Sequence, residues 1–177
     1  FAENKAELNV GENLKKTTGL MAVNGGYLSN SGNINIKSAE SNGLVIMDNS
    51  SGYNSADIKM EGDSSLGIYN LGDFTMDSGE ITLTGKQSVG FYSSTALGTT
   101  NIKDSKIDLQ SSGVNLFLTN NALVNLENVS LGVGSGGLLA YTYPNKTTKV
   151  SSGHINIIGS SEARIGSDGT AFYLRGN

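Results

Sequence analysis

Carboxylates that could act in acid–base chemistry are dispersed through this chain of 177 residues. Cleavage of a polysaccharide needs two or three carboxylates that converge on one face, or an acidic cluster that holds calcium beside a basic group. The sequence has no Asp-Asp pair and none of the Gly-His-Gly or Arg-Ile-Lys signatures typical of polygalacturonase-like enzymes. We therefore predict no catalytic residue, no cofactor site and no metal site, and we expect that the protein is not an enzyme.

Two further motifs have the letters of a functional site without its context. His154 is the single histidine, and no Ser or Cys nucleophile can be tied to it, so we expect a surface residue rather than a general base. Residues 132–137 read Gly-Val-Gly-Ser-Gly-Gly, which satisfies the GxGxxG dinucleotide fingerprint. That fingerprint requires a helix N-terminus to hold phosphate. A strand pattern follows instead at 138–141, so we interpret the segment as an ordinary turn.

The chain contains a repeat of about 24 residues, and this repeat determines which side chains lie next to one another. Each copy begins with Gly or Ser and an aliphatic residue and ends in a second apolar residue that an aromatic usually follows. The copies begin at Gly19, Gly43, Ser65, Ser88, Gly113, Gly137 and Gly169. A fixed period of this length indicates a solenoid, in which each copy is one rung and no rung is stable alone.

A second column of the repeat alternates apolar and polar residues, which is typical of a strand with one buried face. Its apolar pairs are Leu8/Val10, Ile34/Ile36, Ile58/Met60, Ile81/Leu83, Ile107/Leu109, Val129/Leu131 and Ile155/Ile157. A shorter third stretch lies between the two columns and is clearest at 74–76, 100–102 and 124–126. Asp57, Glu80 and Lys106 flank the second column, where we expect solvated charges of alternating sign on an outward face.

Three short strands per rung predict an all-β fold, a right-handed parallel β-helix of about seven rungs with roughly 22–26 residues each. The handedness rests on the general preference for right-handed crossovers between parallel strands. A leucine-rich repeat is excluded because the period lacks the asparagine-centred consensus and the helical return segment of that architecture.

Composition narrows the partners that the chain can take. There is no cysteine, the formal net charge is -4, and the sequence pI is near 4.9. Because a basic footprint is absent, we predict that the protein does not bind nucleic acid. No segment is apolar enough to cross a bilayer, so we expect no direct membrane insertion of this segment. A stacked ladder can supply the cohesion that disulfides give small secreted domains.

Three phrases in the middle rungs resemble a known family. They are Gly-Ile-Tyr-Asn-Leu-Gly at 67–72, Asp-Ser-Gly-Glu-Ile-Thr-Leu-Thr-Gly at 77–85 and Ser-Val-Gly-Phe-Tyr-Ser at 88–93. These phrases are similar to repeats in the passenger regions of very large type V autotransporter adhesins, especially the fusobacterial type. The likeness lies in the pattern of the repeat. It covers residues 20–173 and identifies an architecture better than a particular protein.

The resemblance implies a passenger segment that is secreted across the outer membrane and displayed on the bacterial cell surface. Its implied role is attachment to a surface protein or glycan of host cells or other bacteria, and we expect it to be monomeric. Residues 1–177 would form one β-helix segment, an internal part of a longer passenger whose signal peptide and C-terminal translocator barrel are absent from the sequence. Two alternatives remain, a purely structural stalk and a polysaccharide-active β-helix enzyme.

An apolar column, mostly aromatic, closes the copies of the repeat. Its members are Val23, Met47, Tyr69, Tyr92, Phe117, Tyr141 and Tyr173. Strict alternation from the inward pair Leu66 and Ile68 would turn these side chains outward, as a ladder for sugar faces or an apolar protein partner. A bend of the chain would turn them inward as stacked core, which their regular apolar occupancy favours. The sequence leaves both orientations open.

Two longer connections, at 93–100 and 142–151, offer a place for recognition. They leave the same edge two rungs apart, so about 10 Å separates their bases. Loops on a rigid scaffold often carry recognition, and the second connection adds an aromatic residue and two cations to an acidic rod. The predicted partner-binding residues are Tyr92, Phe117, Tyr141, Tyr143, Lys146 and Lys149. Another expansion, at 159–167, is predicted at a different corner.

Overall fold

The computed structural model describes residues 1–94, 98–143 and 153–175. All regular secondary structure in these residues is β, with 21 strands in three parallel sheets of seven strands each. Neighbouring strands of a sheet are three apart in chain order, so each pass of the chain adds one strand to every sheet. The parallel β-solenoid with three strands per rung is thus confirmed, whereas its right-handedness stays a prediction.

The strands are numbered in chain order and named here by sheet. Sheet A contains β1 (Ala2–Asn4), β4 (Tyr27–Asn30), β7 (Ser51–Asn54), β10 (Asp73–Asp77), β13 (Thr99–Lys103), β16 (Leu123–Glu127) and β19 (His154–Ile158). Sheet B contains β2 (Leu8–Val10), β5 (Ile34–Ile36), β8 (Ile58–Met60), β11 (Glu80–Leu83), β14 (Lys106–Leu109), β17 (Ser130–Val133) and β20 (Glu162–Ile165). Sheet C contains β3 (Thr18–Ala22), β6 (Asn42–Ile46), β9 (Leu66–Asn70), β12 (Ser88–Ser93), β15 (Gly113–Thr119), β18 (Leu138–Tyr143) and β21 (Thr170–Leu174).

The core lies inside the three sheets, and in sheet B it follows from alternation along the strands. In sheet B the inward residues lie directly over one another, because Ile81 pairs with Ile58 on one side and with Ile107 on the other. All three are fully buried. The outward residue between the inward pair of β11, Thr82, remains partly exposed. Apolar side chains from all three sheets join in one continuous cluster.

A row of glycines lets the strands of sheet C approach the neighbouring coil. A Cβ atom on Gly43 would lie 2.5 Å from the backbone oxygen of Gly67, and one on Gly67 would lie 2.5 Å from that of Gly90. Real Cβ atoms do not come so close to a backbone oxygen, so Gly43 and Gly67 are needed for close approach rather than for a turn. In the following coil Asn115 takes the same place, and its amide donates to the backbone oxygens of Ile107 and Gly132.

Polar ladders satisfy hydrogen bonds between coils inside the solenoid. The amide of Asn4 donates to Asn30 Oδ1, and the amide of Asn30 donates to Asn54 Oδ1, both at 2.7 Å. Asn30 and Asn54 are fully buried. Because each amide uses the neighbouring coil as its partner, these buried polar groups avoid the desolvation penalty that isolated ones would carry.

The register corrects the predicted alignment of the second column at its C-terminal end. Leu131 pairs with Ile107 and Ala163 pairs with Leu131, so Val129/Leu131 and Ile155/Ile157 were assigned wrongly. Ile155 instead pairs with Val124 in sheet A. Apolar residues alternate over three successive positions from 129 to 133, so the pattern alone could not select the correct pair. The expansion predicted at 159–167 is wrong for the same reason, since it contains strand β20.

The predicted alignment of the first column is also wrong by two residues, between the copies that begin at Gly43 and Ser65. Leu44 pairs with Ile68 and Ile68 with Phe91, which aligns Gly43 with Gly67 rather than with Ser65. Serines form their own column two residues earlier, where the backbone N–H of Ser65 donates to Ser88 Oγ at 3.1 Å. Gly and Ser are both small, and the sequence prediction placed them in one column as equivalent residues. The structure separates them into a glycine column and a serine column.

The glycine row gives a prediction for stability. Gly67→Ala should lower the free energy of unfolding by about 2 kcal/mol or more, because the added methyl group meets a backbone oxygen that cannot move without breaking the ladder. Gly11→Ala is the matched control, since a Cβ there meets nothing within 4 Å. Denaturant unfolding of both variants measures the difference, and equal losses would contradict the close approach in sheet C.

Candidate functional site

Five aromatic side chains form a column on the outer face of sheet C, which we name the aromatic ladder. Its members are Tyr69, Tyr92, Phe117, Tyr141 and Tyr173. They point outward because the residue before each ring points inward. Those inward neighbours include Ile68, Phe91 and Leu116, which are fully buried. Alternation is interrupted in β9, β12 and β15, where two buried residues precede each ring and one follows it, and the ring itself faces outward.

Every ring of the aromatic ladder contacts the next one. Successive ring centroids are 5.0, 5.3, 5.0 and 5.3 Å apart. Tyr69 and Tyr92 stack with an interplanar angle of 2°, whereas Tyr92 and Phe117 meet edge to face at 88°. Contacts of this kind contribute about 0.5–1.5 kcal/mol per pair beyond burial and also restrict the rings to one arrangement.

The inward orientation, which regular apolar occupancy favoured, is wrong. Tyr69, Tyr92, Phe117 and Tyr141 are half-buried because the rings cover one another on the outside of the sheet, whereas Tyr173 at the C-terminal end is exposed. The column also differs at its N-terminal end, where Met21 and Val45 occupy it instead of Val23 and Met47. This change follows from the two-residue shift of the first column.

The aromatic ladder extends sideways at its C-terminal end through Tyr143. The Tyr143 ring centroid lies 6.1 Å from that of Tyr141, and the guanidinium carbon of Arg175 lies 5.2 Å from the Tyr143 centroid. This geometry is a cation–π contact. Arg175 was not among the predicted site residues. Only the strand register reveals it. Thr142 pairs with Leu174, so the residues that follow them, Tyr143 and Arg175, are neighbours.

Four of the six predicted partner-binding residues come together in this surface. Tyr92, Phe117, Tyr141 and Tyr143 lie on β12, β15 and β18. Lys146 and Lys149 lie outside the described residues, as do parts of both longer connections. The connections follow β12 and β18 and each leads to sheet A, so the prediction that they leave one edge is confirmed for their described ends. The patch between their tips stays a prediction.

The ladder can offer both apolar contact and hydrogen bonds. Burial, with neighbouring Tyr92 and Asp48, raises the pKa of the Tyr69 hydroxyl above its ordinary value. The hydroxyl is therefore neutral at physiological pH and can donate or accept a hydrogen bond. A row of rigid rings that carry hydroxyl groups resembles the residue chemistry of protein interfaces.

A second group of polar residues lies on the outer face of sheet B and forms a chain of ion pairs. Lys106 Nζ lies 2.8 Å from Glu80 Oε1 and 3.6 Å from Asp108 Oδ2. Arg164 Nη2 contacts the other carboxylate oxygen of Asp108 at 2.5 Å. Gly132 stands between Asp108 and Arg164 in the register, and its missing side chain leaves room for the guanidinium to reach across a coil.

The Glu80 and Lys106 side chains are 38% and 44% exposed, which agrees with the solvated charges predicted there, whereas the Asp108 side chain is only 8% exposed. The pKa of Glu80 is lowered mainly by its hydrogen bond from Lys106, and the same bond raises the pKa of Lys106. Both groups therefore hold their charges, whereas a general acid needs a carboxyl group with a raised pKa. This arrangement favours a role in joining neighbouring coils.

Several aspartates at the corners of the solenoid also bind the next coil. Asp57 Oδ1 accepts the backbone N–H of Glu80 at 2.8 Å, and Asp63 Oδ1 accepts that of Lys86 at 2.7 Å. His154 lies exposed on β19, opposite Leu123, so it is a surface residue as predicted. Glu80 and Lys106 belong to sheet B, so His154 does not share a column with them.

In residues 1–94, 98–143 and 153–175, no three potential metal ligands come together. The same residues contain no helix that is long and apolar enough to span a membrane. The GxGxxG letters at 132–137 fall on the end of β17 and the turn into strand β18. That segment is therefore a turn between strands, as predicted, and offers no helix N-terminus for phosphate.

Comparisons with known proteins assign no function to this surface. No protein-family model, no curated protein and no solved structure matches the chain. The function is therefore inferred from the register of the solenoid and from the residues that the register brings to the outside.

The Glu80–Lys106 pair gives a prediction for pH dependence. Glu80→Gln should lower the free energy of unfolding at pH 7, and with it the melting temperature. The loss of free energy should be below about 1 kcal/mol because both side chains of the pair are well exposed. The carboxylate has a lowered pKa in the folded chain, so its contribution is complete above its ordinary pKa of 4.5 and disappears as the pH falls through the folded value. The melting temperatures of the two proteins should therefore converge as the medium becomes acidic.

Glu12→Gln is the control for this measurement, because Glu12 is exposed and forms no ion pair within the described residues. Its melting temperature should follow that of the parent from neutral to acidic pH. A Glu80→Gln difference that stays constant over this range would show that the ion pair does not stabilise the folded chain.

Proposed function

We propose that this chain is a binding segment of a surface-displayed passenger of the type V autotransporter adhesin class. In this proposal the passenger is secreted across the outer membrane and attaches the bacterium to host cells or to other bacteria. The observation that carries the proposal is the outward aromatic ladder, a continuous apolar surface on a solenoid whose other described outer faces are mainly polar.

Rigidity of the scaffold supports a binding role. The ladder stands on strands whose backbones are paired on both sides from β6 to β18, and the rings restrict one another by direct contact. A surface that is already ordered loses little conformational entropy when a partner binds. Aromatic residues with few rotatable bonds also dominate the binding energy of many interfaces.

The geometry of the rings favours a protein partner for the aromatic ladder. Tyr69 and Tyr92 lie face to face, so neither ring offers both faces to the flat side of a sugar. Ring edges and hydroxyls remain accessible, and these match an apolar protein patch that is bordered by hydrogen-bonding groups. Arg175 at the C-terminal end of the surface adds a cation beside Tyr143.

The stalk is the second candidate, and the ladders between coils favour it. Buried amides, serines and glycines join successive coils, and a rod built in this way serves as a spacer whether or not it binds anything. The aromatic ladder distinguishes the two functions, because a spacer does not need a contiguous row of half-exposed rings. A polysaccharide-active enzyme is less favoured, since Glu80 and Asp108 are both engaged with cations.

The binding role predicts the effect of removing two rings. Tyr92→Thr combined with Tyr141→Thr should reduce attachment of fluorescent beads coated with the protein to epithelial and bacterial cells by about tenfold or more. Threonine keeps the strand preference at both positions. Circular dichroism should therefore show an unchanged β-sheet spectrum. The melting temperature should fall, because the two changes remove five ring contacts of about 0.5–1.5 kcal/mol each, so attachment is measured well below the melting temperature of the variant.

The matched control is Lys59→Ala combined with Thr82→Ala, which alters the outer face of sheet B to a similar extent. These beads should attach as well as those that carry the parent protein. If the tyrosine variant also attaches like the parent, or if the parent itself attaches to none of the cells, the stalk is the better account.

A further inference from the structure

The outer face of sheet A contains a groove that is separate from the aromatic ladder. It consists of two depressions of about 290 Å³ each, which share Thr75 and Asn101. We name this feature the sheet A groove. One depression reaches Tyr53 and Asp73, and the other reaches residues of β16. The groove therefore crosses several neighbouring coils on one side of the rod.

The floor of the groove results from small residues beside a ring. Tyr53 pairs with Thr75, and Thr75 pairs with Asn101, so the three side chains follow one another along the outer face. Tyr53 is partly exposed. Because Thr75 is much smaller than the tyrosine ring, it leaves a step beside the ring that a flat ligand can fill.

Hydrogen-bonding groups in the groove are organised but incompletely used. The amide of Asn156 donates to Asn125 Oδ1, and the amide of Asn125 donates to Asn101 Oδ1, both at 2.9 Å. The chain of amides ends at Asn101, whose own NH₂ group has no acceptor among the described residues. Asp73 accepts the backbone N–H of Thr99 through one carboxylate oxygen, which leaves the second oxygen available.

The charge of the groove restricts its ligand. Asp73, Asp77 and Glu127 supply three carboxylates, whereas Lys103 is the one cation in the lining and lies 3.9 Å from Asp104. An acidic polymer would be repelled by this excess of negative charge. An uncharged polymer with many hydroxyls can instead accept from the Asn101 amide and donate to the carboxylates.

We propose that the sheet A groove binds a linear, uncharged glycan that lies across successive coils. A sugar ring packs its apolar face against Tyr53, and neighbouring hydroxyls bond to Asp73 and Asn101. The coils repeat at about 4.8 Å, so Asn101, Asn125 and Asn156 recur at even intervals beside the ring and suit a polymer of similar units. This site is independent of the protein partner proposed for the aromatic ladder.

The test uses isotope-labelled protein and three neutral hexasaccharides, cellohexaose, chitohexaose and β-1,4-galactohexaose. Titration followed by NMR should give saturable shifts at Tyr53, Thr75 and Asn101 with one of them, in the millimolar range or tighter, roughly the affinity expected of a shallow polar site. Hexagalacturonic acid should cause none. Absence of shifts with all three neutral sugars, or a preference for the acidic one, overturns the proposal.

Four variants assign the binding to the groove. Tyr53→Ala and Asn101→Ala should each weaken binding about three- to tenfold, and Thr75→Arg should abolish it by filling the step. Asn35→Ala, a similar change on the outer face of sheet B, should bind like the parent. If the groove variants bind like the parent, or if Asn35→Ala weakens binding equally, the groove is not the site.

A further comparison separates this proposal from the binding role of the aromatic ladder. The Tyr92→Thr, Tyr141→Thr protein should bind the hexasaccharide with unchanged affinity, because both rings belong to sheet C. Loss of sugar binding in that protein would assign the glycan to the ladder and overturn the groove. Loss of cell attachment alone would leave the groove supported.

Discussion

The in-register stacking of parallel coils is the constraint on which the rest of this structure depends. Strands of successive coils pair residue for residue, so every position of the repeat lies about 4.8 Å from the same position of the next coil. The side chain at each position must therefore suit its own neighbours above and below. Isoleucine stacks on isoleucine in sheet B, asparagine bonds to asparagine inside sheet A, and glycine faces a backbone oxygen in sheet C. The same rule brings aromatic rings into contact on the outside.

Much of this arrangement could be predicted from periodicity. Alternation with period two located the inward residues of sheet B from β2 to β14, because only one face of those strands is buried. Register was harder, since it depends on which small residue stacks on which. Ser65 and Gly67 looked equivalent in the sequence, yet serine bonds to a serine hydroxyl whereas glycine admits a backbone. At β17 the alternation of apolar residues extends over an extra position, and the pattern fits more than one register.

The candidate site shows a similar division. The sequence located the aromatic column, but it could not decide its orientation, because half-buried rings that cover one another keep an apolar pattern even on an outer face. Arg175 and the Asn101 amide, which has no acceptor among the described residues, could not be found from spacing alone, since each depends on a neighbour that is distant in sequence. The long-range pair of Asp108 and Arg164 depends likewise on the absence of a side chain at Gly132. Such sites exist only once the register is known.

The outward aromatic ladder is the central claim, and ring contacts measured by NMR test it most directly in a protein of 18.4 kDa. The account predicts nuclear Overhauser effects from Tyr69 to Tyr92, from Tyr92 to Phe117 and onward along the column. It also predicts that a soluble gadolinium chelate broadens the ring signals of Tyr92 and Tyr141 strongly and those of the buried Phe91 hardly at all. Protected Tyr92 and Tyr141 rings, or a broadened Phe91 signal, would contradict the orientation of the strands in sheet C and the binding surface built on it.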